Sequence, residues 1–477
     1  MNASFQNPNG QPAQASTNNS VVASWAWVDG DWQRSVRLAW DDQGMLTEVT
    51  PEWSGVAPLC GPVIPGMPNL HSHAFQSAMA GLTEYRANPD DSFWSWRDLM
   101  YRFAARINPD MMAAIARYLY IDMLKAGYTS VCEFHYIHHQ PHGGHYADAP
   151  ELMLQVTHAA RQAGIGMTML PVLYQYSDFG ARPPRSDQAR FINTPDQLLQ
   201  LLAEARGRIP ESSTLRYGVA PHSLRAVTTQ SLRELLDGLD RDFPDCPVHI
   251  HIAEQTAEVD ACLAEHGARP VQWLLDSLPV DERWCLVHAT HMDDVETGAL
   301  ARTGAVAGLC PTTEANLGDG VFPARAWLDA GGRLGIGSDS HISIDWRSEL
   351  RLLEYSQRLT SRQRNILAGP QENRIADFLF QKALDGGSQA AGRPIQGLRA
   401  GQQADFVVLD GDHPHIASRP HEMWMSCLVF SERGPSPIRD VYVGGQAVVR
   451  DGRHEDEDIA WSAYQATMEK LLASGQA

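Results

Sequence analysis

The sequence is poor in cysteine and contains no long apolar run. Seven cysteines are scattered over 477 residues, and no two of them form a Cys-x-x-Cys pair. An odd number without that spacing favours free thiols in a reducing compartment over a disulfide framework. No stretch of about eighteen apolar residues occurs, so no membrane-spanning helix is expected. The amino-terminal residues lack a basic segment followed by an apolar one, so we expect no secretory signal and predict a cytoplasmic protein.

Positive charge is also scarce. The chain has 38 lysines and arginines against 57 aspartates and glutamates, which gives a formal net charge of -19 at pH 7. Such an acidic chain is not expected to bind nucleic acid or an anionic membrane surface. A small substrate that carries negative charge remains compatible with this balance, provided that local arginines bind it.

Eight apolar runs typical of buried strands alternate with helical patterns in the middle of the chain. They cover residues 63–70, 129–135, 166–174, 215–221, 247–253, 284–289, 304–309 and 333–337. This alternation predicts parallel βαβ units, and eight of them indicate an α/β fold of the closed (β/α)8 TIM-like barrel type. A doubly wound open sheet is the alternative, but no Gly-x-Gly-x-x-Gly motif follows the first strand.

Both ends of the chain have strand-rich patterns with glycine turns. We expect residues 21–62 and 395–455 to form one small β-sandwich domain beside a catalytic barrel of residues 63–394. Residues 1–20 are rich in Asn, Gln, Ser and Pro and are predicted to form a disordered tail. Residues 456–477 contain an amphipathic pattern that predicts a C-terminal helix.

Polar side chains of metal-binding type cluster where the predicted strands end. His71 and His73 point to the same side of an extended strand, although His-x-His alone is a weak signal. The other strand ends carry Glu133, His135, Tyr136, His222, Arg225, His249, His251, Glu254, His288, His291, Asp339 and His341. The carboxyl ends of barrel strands meet at one face, where such barrels carry their active sites. We therefore expect a metal-dependent site there.

Several motifs carry a resemblance to a known family. They are Pro65-Gly66 followed by His71-x-His73, then His251-Ile252-Ala253-Glu254, Val287-His288, Gly337-Ser338-Asp339 and the closing stretch at 404–410. Together they resemble the amidohydrolase superfamily, specifically its mononuclear aminohydrolase branch, from about residue 20 to 450. Longer blocks at 71–76, 92–97, 133–136, 222–227, 251–255 and 313–318 are similar to members that act on N-formimidoyl-L-glutamate in histidine degradation.

The resemblance implies one Zn²⁺ per subunit, held by His71, His73, His251 and Asp339. Three imidazoles and a carboxylate with one open position suit a catalytic zinc ion. No lysine lies at the end of the fourth predicted strand, so no such side chain is present to bridge two metal ions, and a single ion is favoured. The same ligands also accept iron or manganese, so the sequence leaves the identity of the metal open.

The resemblance also implies the catalytic groups. Glu254 would transfer a proton to the leaving nitrogen, His288 would relay the proton of the attacking water, and Asp339 would help to activate that water. Glu254 and His288 each have a structural alternative. Glu254 could be a carboxylate stabilised at a helix N-terminus, and His288 a hydrogen-bonded core histidine.

A substrate with two carboxylates should meet two arginines, because guanidinium groups bind carboxylates bidentately. Arg225 and Arg97 are the candidates, although either could be a surface charge. Gln76, Tyr136 and His222 are the remaining candidate substrate-binding residues. The histidine-rich stretch at 138–145 is expected to be a mobile loop rather than a second metal site.

These expectations combine into a predicted reaction. The resemblance implies hydrolysis of N-formimidoyl-L-glutamate to N-formyl-L-glutamate and ammonia. Members of this superfamily are often dimeric, so a homodimer is expected. A related deaminase of a nucleobase or another amidine is the first alternative, and an aromatic pocket without paired arginines would favour it. A non-catalytic scaffold of the same fold is the second, disfavoured because every predicted ligand and proton-transfer group is present.

Overall fold

The computed structural model describes residues 19–55, 59–84, 93–431 and 434–473. The tail was predicted for residues 1–20. Residues 1–18 lie outside the described residues, and residues 19 and 20 belong to the first strand, which begins at Asn19. The C-terminal helix spans Glu457–Ala473. Among the described helices, none is both long and apolar enough to cross a membrane.

The strands of the described residues are β1 (Asn19–Val28), β2 (Asp31–Trp40), β3 (Leu46–Thr50), β4 (Leu59–Cys60), β5 (Val63–Pro65), β6 (Met67–Ser72), β7 (Tyr128–His135), β8 (Gly166–Leu173), β9 (Leu215–Tyr217), β10 (Ala220–Pro221), β11 (Val248–Ile252), β12 (Trp284–His288), β13 (Val306–Leu309), β14 (Arg333–Ile336), β15 (Phe406–Leu409), β16 (Ile438–Val443), β17 (Gln446–Arg450) and β18 (Arg453–His454).

The α-helices of the same residues are α1 (Phe93–Ala104), α2 (Pro109–Lys125), α3 (Glu151–Ala163), α4 (Pro195–Arg208), α5 (Thr229–Asp242), α6 (Thr256–His266), α7 (Pro270–Ser277), α8 (Asp294–Ala301), α9 (Pro311–Leu317), α10 (Ala324–Asp329), α11 (Trp346–Ser361), α12 (Ile375–Ala391), α13 (Trp424–Phe430) and α14 (Glu457–Ala473). Short 3-10 helices span Ala74–Met79, Ser186–Gln188 and His421–Met423.

Strands from the two ends of the chain form one sheet. Its order is β18-β17-β16-β15-β5-β1-β2-β3, with β4 paired to β1. The hairpin between β1 and β2 turns at Asp29 and Gly30, whose φ angles are 52° and 87°. Two positive φ angles are what a tight two-residue hairpin requires, as the Asp-Gly pair predicts. This shared sheet is the part of the predicted β-sandwich domain that the structure supports.

The strands between these ends are parallel and follow each other in space. One sheet has the order β10-β8-β7-β6, with β9 also on β8, and the other has the order β11-β12-β13-β14. Parallel bridges from Val219 to Val248 and from Ser72 to Asp339 join the two sheets at both edges. This arrangement matches the eight predicted runs and is consistent with the predicted (β/α)8 barrel. It does not match a doubly wound open sheet, whose edges remain unpaired.

The first predicted run is divided between two sheets. Val63–Pro65 pairs with β1 and β15 in the terminal sheet, whereas β6 pairs with β7. Gly66 lies between them, where a β-carbon would come within 2.2 Å of the Thr129 side chain. The chain can pass from one sheet to the other here because glycine leaves room for that contact.

Helix α12 covers the amino-terminal end of the parallel strands. A β-carbon on Gly386 would lie 2.0 Å from the Leu334 carbonyl oxygen, and one on Gly387 would lie 2.8 Å from Pro68. Both contacts are to residues near the starts of β14 and β6, so the helix backbone packs directly against them. The opposite, carboxyl-terminal end of the strands remains for the polar residues.

Candidate metal centre and active site

The four predicted metal ligands converge, although they come from three separate parts of the chain. Nε2 of His251 lies 3.0 Å from Nε2 of His71. Oδ1 of Asp339 lies 3.5 Å from His71 Nε2 and 3.4 Å from His73 Nε2. The three histidines form a group able to hold a metal ion, and all four side chains are almost fully buried.

The donor set fits a divalent metal ion. Zinc–nitrogen bonds of about 2.0–2.1 Å place neighbouring ligand atoms roughly 3 Å apart, close to the spacings observed here. Nδ1 of His73 is 2.9 Å from the Phe134 carbonyl, and Nδ1 of His251 is 3.1 Å from the His222 carbonyl. A proton on each Nδ1 would be donated to these carbonyl oxygens, which leaves the Nε2 lone pairs available to the ion.

Burial keeps these imidazoles neutral at pH 7. It lowers the pKa of His71 to about 3 and also lowers the pKa values of His73 and His251. Burial alone would raise the pKa of Asp339, but its interaction with His71 and the other nearby imidazoles holds that pKa well below its usual value. Neutral imidazole and ionised carboxylate are the forms that bind a divalent metal.

Left-handed backbone turns aim several of these side chains. The φ angles of Ala253, His288 and Asp339 are 50°, 69° and 48°. Residues with a β-carbon adopt this region at a cost of roughly 1–3 kcal/mol, and such strain is concentrated at functional sites. Each of the three residues follows or ends a parallel strand, at the face where the ligands meet.

His288 lies among three carboxylates. Its Nε2 is 3.7 Å from Glu254 and 3.6 Å from Asp339, and its Nδ1 is 3.3 Å from Glu314. Burial opposes protonation, but the carboxylates of Glu254, Glu314 and Asp339 raise the pKa of His288 to about 10. Burial also raises the pKa of Glu254 to about 7. Both groups are therefore placed to exchange protons beside the metal site.

The predicted substrate-binding residues line the same cavity. It is bounded by His73, Gln76, Phe93, Trp96, Arg97, Met100, Tyr101, Tyr136, His222, Arg225, His251, Glu254, His288, Leu317 and Asp339. Gln76 donates a hydrogen bond to the Tyr136 hydroxyl at 2.9 Å. The two arginines approach one indole, since Cζ of Arg97 is 4.5 Å and Cζ of Arg225 is 5.6 Å from the centre of the Trp94 ring. Tyr136 is also packed against His73 and Phe75.

Other histidines at the strand ends have structural partners. His249 bonds through Nε2 to the Ala390 carbonyl, and His291 bonds through Nε2 to the Asp319 carbonyl. In the histidine-rich stretch, His138 and His139 are buried and bond to the carbonyls of Val172 and Ile192. The metal-binding groups found among the described residues do not include this stretch.

Three buried carboxylates around the site were given no functional role from the sequence, although Glu133 was among the strand-end residues. Glu314 contacts His288, and Glu258 accepts hydrogen bonds from the backbone before α6. Glu133 accepts hydrogen bonds from the Ser72 hydroxyl and the Ala74 amide, on either side of His73. The sequence did contain a partial signal, because Glu133 ends a strand and Glu314 lies in a block that resembles the aminohydrolases. Glu133 and Ser72, and likewise Glu314 and His288, are distant in sequence, so spacing alone could not pair them.

Comparisons with known proteins agree with this geometry. The amidohydrolase family model matches residues 63–448. A curated formimidoylglutamate deiminase from Pseudomonas aeruginosa is 50% identical over 456 residues, which cover 95% of this chain and 100% of the relative. The crystal structure of an amidohydrolase from Brucella melitensis has a TM-score of 0.90 and 44% identity, covering 95% of this chain and 100% of that one.

A more distant structure supports the fold alone. An adenosine deaminase from Xanthomonas campestris, solved with bound zinc, has a TM-score of 0.77 at 20% identity and covers 95% of this chain and 98% of that one. The fold and the site together define a parallel α/β hydrolase with a metal-binding centre at the ends of its strands. The chain belongs to the amidohydrolase family.

Proposed function

We propose that this protein is a zinc-dependent deiminase that hydrolyses N-formimidoyl-L-glutamate to N-formyl-L-glutamate and ammonia. The observation that carries the proposal is the pair of arginines, Arg97 and Arg225, in the same cavity as the metal ligands. The Pseudomonas aeruginosa relative, at 50% identity over nearly the whole chain, has a name that describes the same reaction.

Zinc is the metal that the donor set favours. His71, His73, His251 and Asp339 would hold it, because three neutral imidazoles and one carboxylate match the ligands of catalytic zinc sites. A divalent ion in such a site lowers the pKa of water to about 7 and so supplies a nucleophile near neutral pH. One ion per subunit is proposed, since Oδ1 of Asp339 lies 3.5 Å from His71 Nε2 and 3.4 Å from His73 Nε2 and so joins the three histidines around one place.

The chain's own residues move the protons. Water adds to the amidine carbon, and the C=N bond becomes C=O as ammonia leaves. Both protons of the water end on the departing nitrogen. Glu254 delivers protons to this nitrogen, and His288, which is protonated at neutral pH, passes its proton to Glu254 and is reprotonated by the water. Their separation of 3.7 Å allows the two groups to exchange a proton within the site. Asp339, whose Oδ2 lies 3.6 Å from His288 Nε2, would help to activate the attacking water.

The two substrate carboxylates are assigned to the arginines. Arg225 is almost fully buried, and a buried guanidinium is stabilised when it binds an anion. Arg97 is partly buried against Trp94 and provides the second positive charge. Gln76, Tyr136 and His222 supply further hydrogen-bonding groups in the same cavity.

A nucleobase deaminase is the second candidate, because Phe93, Trp96 and Tyr101 give the cavity aromatic walls. The two arginines disfavour it, since a neutral base would leave both charges without a partner. A non-catalytic scaffold is less favoured still, because the ligands and both proton-transfer groups are present.

We propose that the protein acts in the cytoplasm, in histidine degradation, as a homodimer. Residues 63–394 would be the catalytic barrel, and residues 21–62 and 395–455 would be a β-sandwich domain.

Ammonia release by the purified protein tests the function. N-formimidoyl-L-glutamate would be compared with guanine, cytosine and N-formimidoyl-L-aspartate, each with and without a chelator. We expect release from the glutamate derivative alone, lost on chelation and restored by zinc. Release from a nucleobase alone would support the second candidate, and release from none of them by a zinc-loaded, folded sample would contradict an enzymatic role.

A further inference from the structure

Glu258 is a carboxylate inside the protein that links two parts of the active site. It lies in the first turn of α6, and its side chain is only 1% exposed. A buried carboxylate requires compensating partners, because isolated charge in the interior is strongly disfavoured. Its partners therefore indicate what it stabilises.

Two of these partners are backbone amides of the turn that carries Glu254. The Ala253 amide donates to Oε1 of Glu258 at 3.2 Å, and the Glu254 amide donates to Oε2 at 3.2 Å. Ala253 has a φ of 50°, so this turn is strained and needs external contacts to persist. Glu258 thus holds the backbone from which the Glu254 carboxylate projects toward His288.

The third partner is the substrate-binding Arg225. Its Nε lies 4.0 Å from Oε2 of Glu258, the same oxygen that accepts the Glu254 amide. This Nε has no hydrogen-bond partner within the part of the chain that the structure describes. The Cζ atom of Arg225 is also 5.6 Å from the centre of the Trp94 ring. The carboxylate and the indole are therefore both neighbours of the guanidinium.

We propose that Glu258 is a positioning residue that fixes the Arg225 guanidinium and the Glu254 turn relative to each other. The inference rests on the proposed function and deepens it. Recognition of a substrate carboxylate and proton transfer to the leaving nitrogen then depend on one buried carboxylate. A role limited to capping α6 would involve the two amides but not Arg225.

The test uses full-length, metal-loaded protein with the substitutions Glu258→Gln and Glu258→Asp. Glutamine keeps the size of the side chain but loses the charge and one acceptor, whereas aspartate keeps the charge and shortens the reach. Asp260→Asn is the matched control, because Asp260 is an exposed carboxylate on the same helix. Metal content and the midpoint of thermal unfolding are measured for every variant, so that loss of folding is recognised.

Steady-state kinetics would be measured with N-formimidoyl-L-glutamate and with two analogues that each lack one carboxylate, the N-formimidoyl derivatives of 4-aminobutyrate and 2-aminobutyrate. Glu258→Gln should raise KM for the dicarboxylate about tenfold and also lower kcat, with a smaller rise in KM for Glu258→Asp. For the analogue that lacks the carboxylate bound by Arg225, KM should be unchanged while the loss in kcat remains.

A double-mutant cycle that combines Glu258→Gln with Arg225→Gln isolates the contribution of the contact between Glu258 and Arg225. If Glu258 acts through Arg225, adding Glu258→Gln to Arg225→Gln should change KM by less than about twofold. Independent, multiplicative effects on KM would overturn the inference, and so would kinetics of Glu258→Gln that match those of Asp260→Asn. A wild-type protein without turnover of the glutamate derivative would overturn the proposed function, and the inference with it.

Discussion

Nε2 of His251 faces Nε2 of His71 at 3.0 Å, although the two residues are 180 positions apart in the sequence. Burial lowers the pKa of both imidazoles, so neither is protonated on both nitrogens at neutral pH. Nδ1 of His251 faces the His222 carbonyl, so its Nε2 lone pair is available to a cation shared with His71. Asp339 supplies a carboxylate beside that place.

Removing one of these imidazoles should therefore remove the metal. We expect His251→Ala to lose at least tenfold in metal affinity and to have no measurable turnover, because a three-ligand remnant binds the ion weakly. Metal content after dialysis against a weak chelator measures this directly. His145→Ala is the control, since His145 is exposed in the histidine-rich stretch, and its metal content should match wild type. Metal loss in His145→Ala but not in His251→Ala would mean that the histidine-rich stretch at 138–145, and not the strand-end histidines, holds the metal.

The second prediction concerns Glu254. Glu254→Gln keeps the shape of the side chain but cannot carry a proton to the leaving nitrogen, so kcat should fall by about 10²–10⁴-fold. KM and metal content should change little, because Glu254 is not among the four ligands. Stopped-time ammonia assays and metal analysis measure the two effects.

Glu265→Gln is the control for this substitution. Glu265 is an exposed carboxylate on α6, and its replacement should leave kcat within about twofold of wild type. A Glu254→Gln enzyme with nearly normal kcat would refute proton transfer by Glu254. It would favour the structural alternative, in which this carboxylate only stabilises the start of a helix.

The third prediction concerns the two arginines. Arg225→Gln and Arg97→Gln should each raise KM for N-formimidoyl-L-glutamate, by about 10–100-fold for the buried Arg225 and less for Arg97. The difference follows from burial, because solvent weakens the contribution of the more exposed charge. Each variant should have nearly unchanged kinetics with one of the two single-carboxylate analogues, which identifies the carboxylate that it binds.

Arg182→Gln serves as the control for the arginines, since the side chain of Arg182 is 72% exposed and outside the cavity lining. Its KM should equal that of wild type. An unchanged KM in both cavity variants would contradict carboxylate recognition by Arg97 and Arg225, and would favour the nucleobase alternative.

The convergence of the predicted ligands was predictable because it depends on one geometric rule. Side chains at the carboxyl ends of parallel strands meet at one face, so the order of the strands brings the strand-end residues together. The family resemblance then singled out His71, His73, His251 and Asp339 as predicted ligands and His288 as a predicted catalytic group. Their separations along the chain did not matter. The terminal sheet was predictable for a similar reason, since exposed strand edges at both chain ends require partners.

The contacts made from helices were not predictable in this way. Whether Glu314 reaches His288, or Glu258 reaches Arg225, depends on the rotation and tilt of α9 and α6 against the strands. Those angles are determined by packing of many side chains and not by local sequence. The division of the first apolar run at Gly66 was missed for the same reason, because Thr129, whose side chain occupies the space beside it, belongs to another strand.

The last prediction concerns pH and stability at the contact between α2 and α14. Burial raises the pKa of Asp122 to about 6, with Glu457 adding to the shift and Lys125 opposing it. Tyr118 and Tyr464 are the other titratable groups beside it. In the unfolded chain an aspartate has a pKa of about 3.9. Between about pH 4 and pH 6, Asp122 is therefore protonated more often in the folded state than in the unfolded state.

The free energy of unfolding should therefore fall as pH rises through this window, and the full penalty for ionised Asp122 is present above about pH 6. Asp122→Asn removes that penalty. We expect the variant to be more stable than wild type by about 1–2 kcal/mol at pH 8, after allowance for partial solvent screening, and by little at pH 4. Glu469→Gln, an exposed substitution on α14, should change stability by less than about 0.5 kcal/mol at either pH. Urea unfolding at the two pH values measures the difference, and an Asp122→Asn protein less stable than wild type at pH 8 would mean that the ionised carboxylate stabilises this contact.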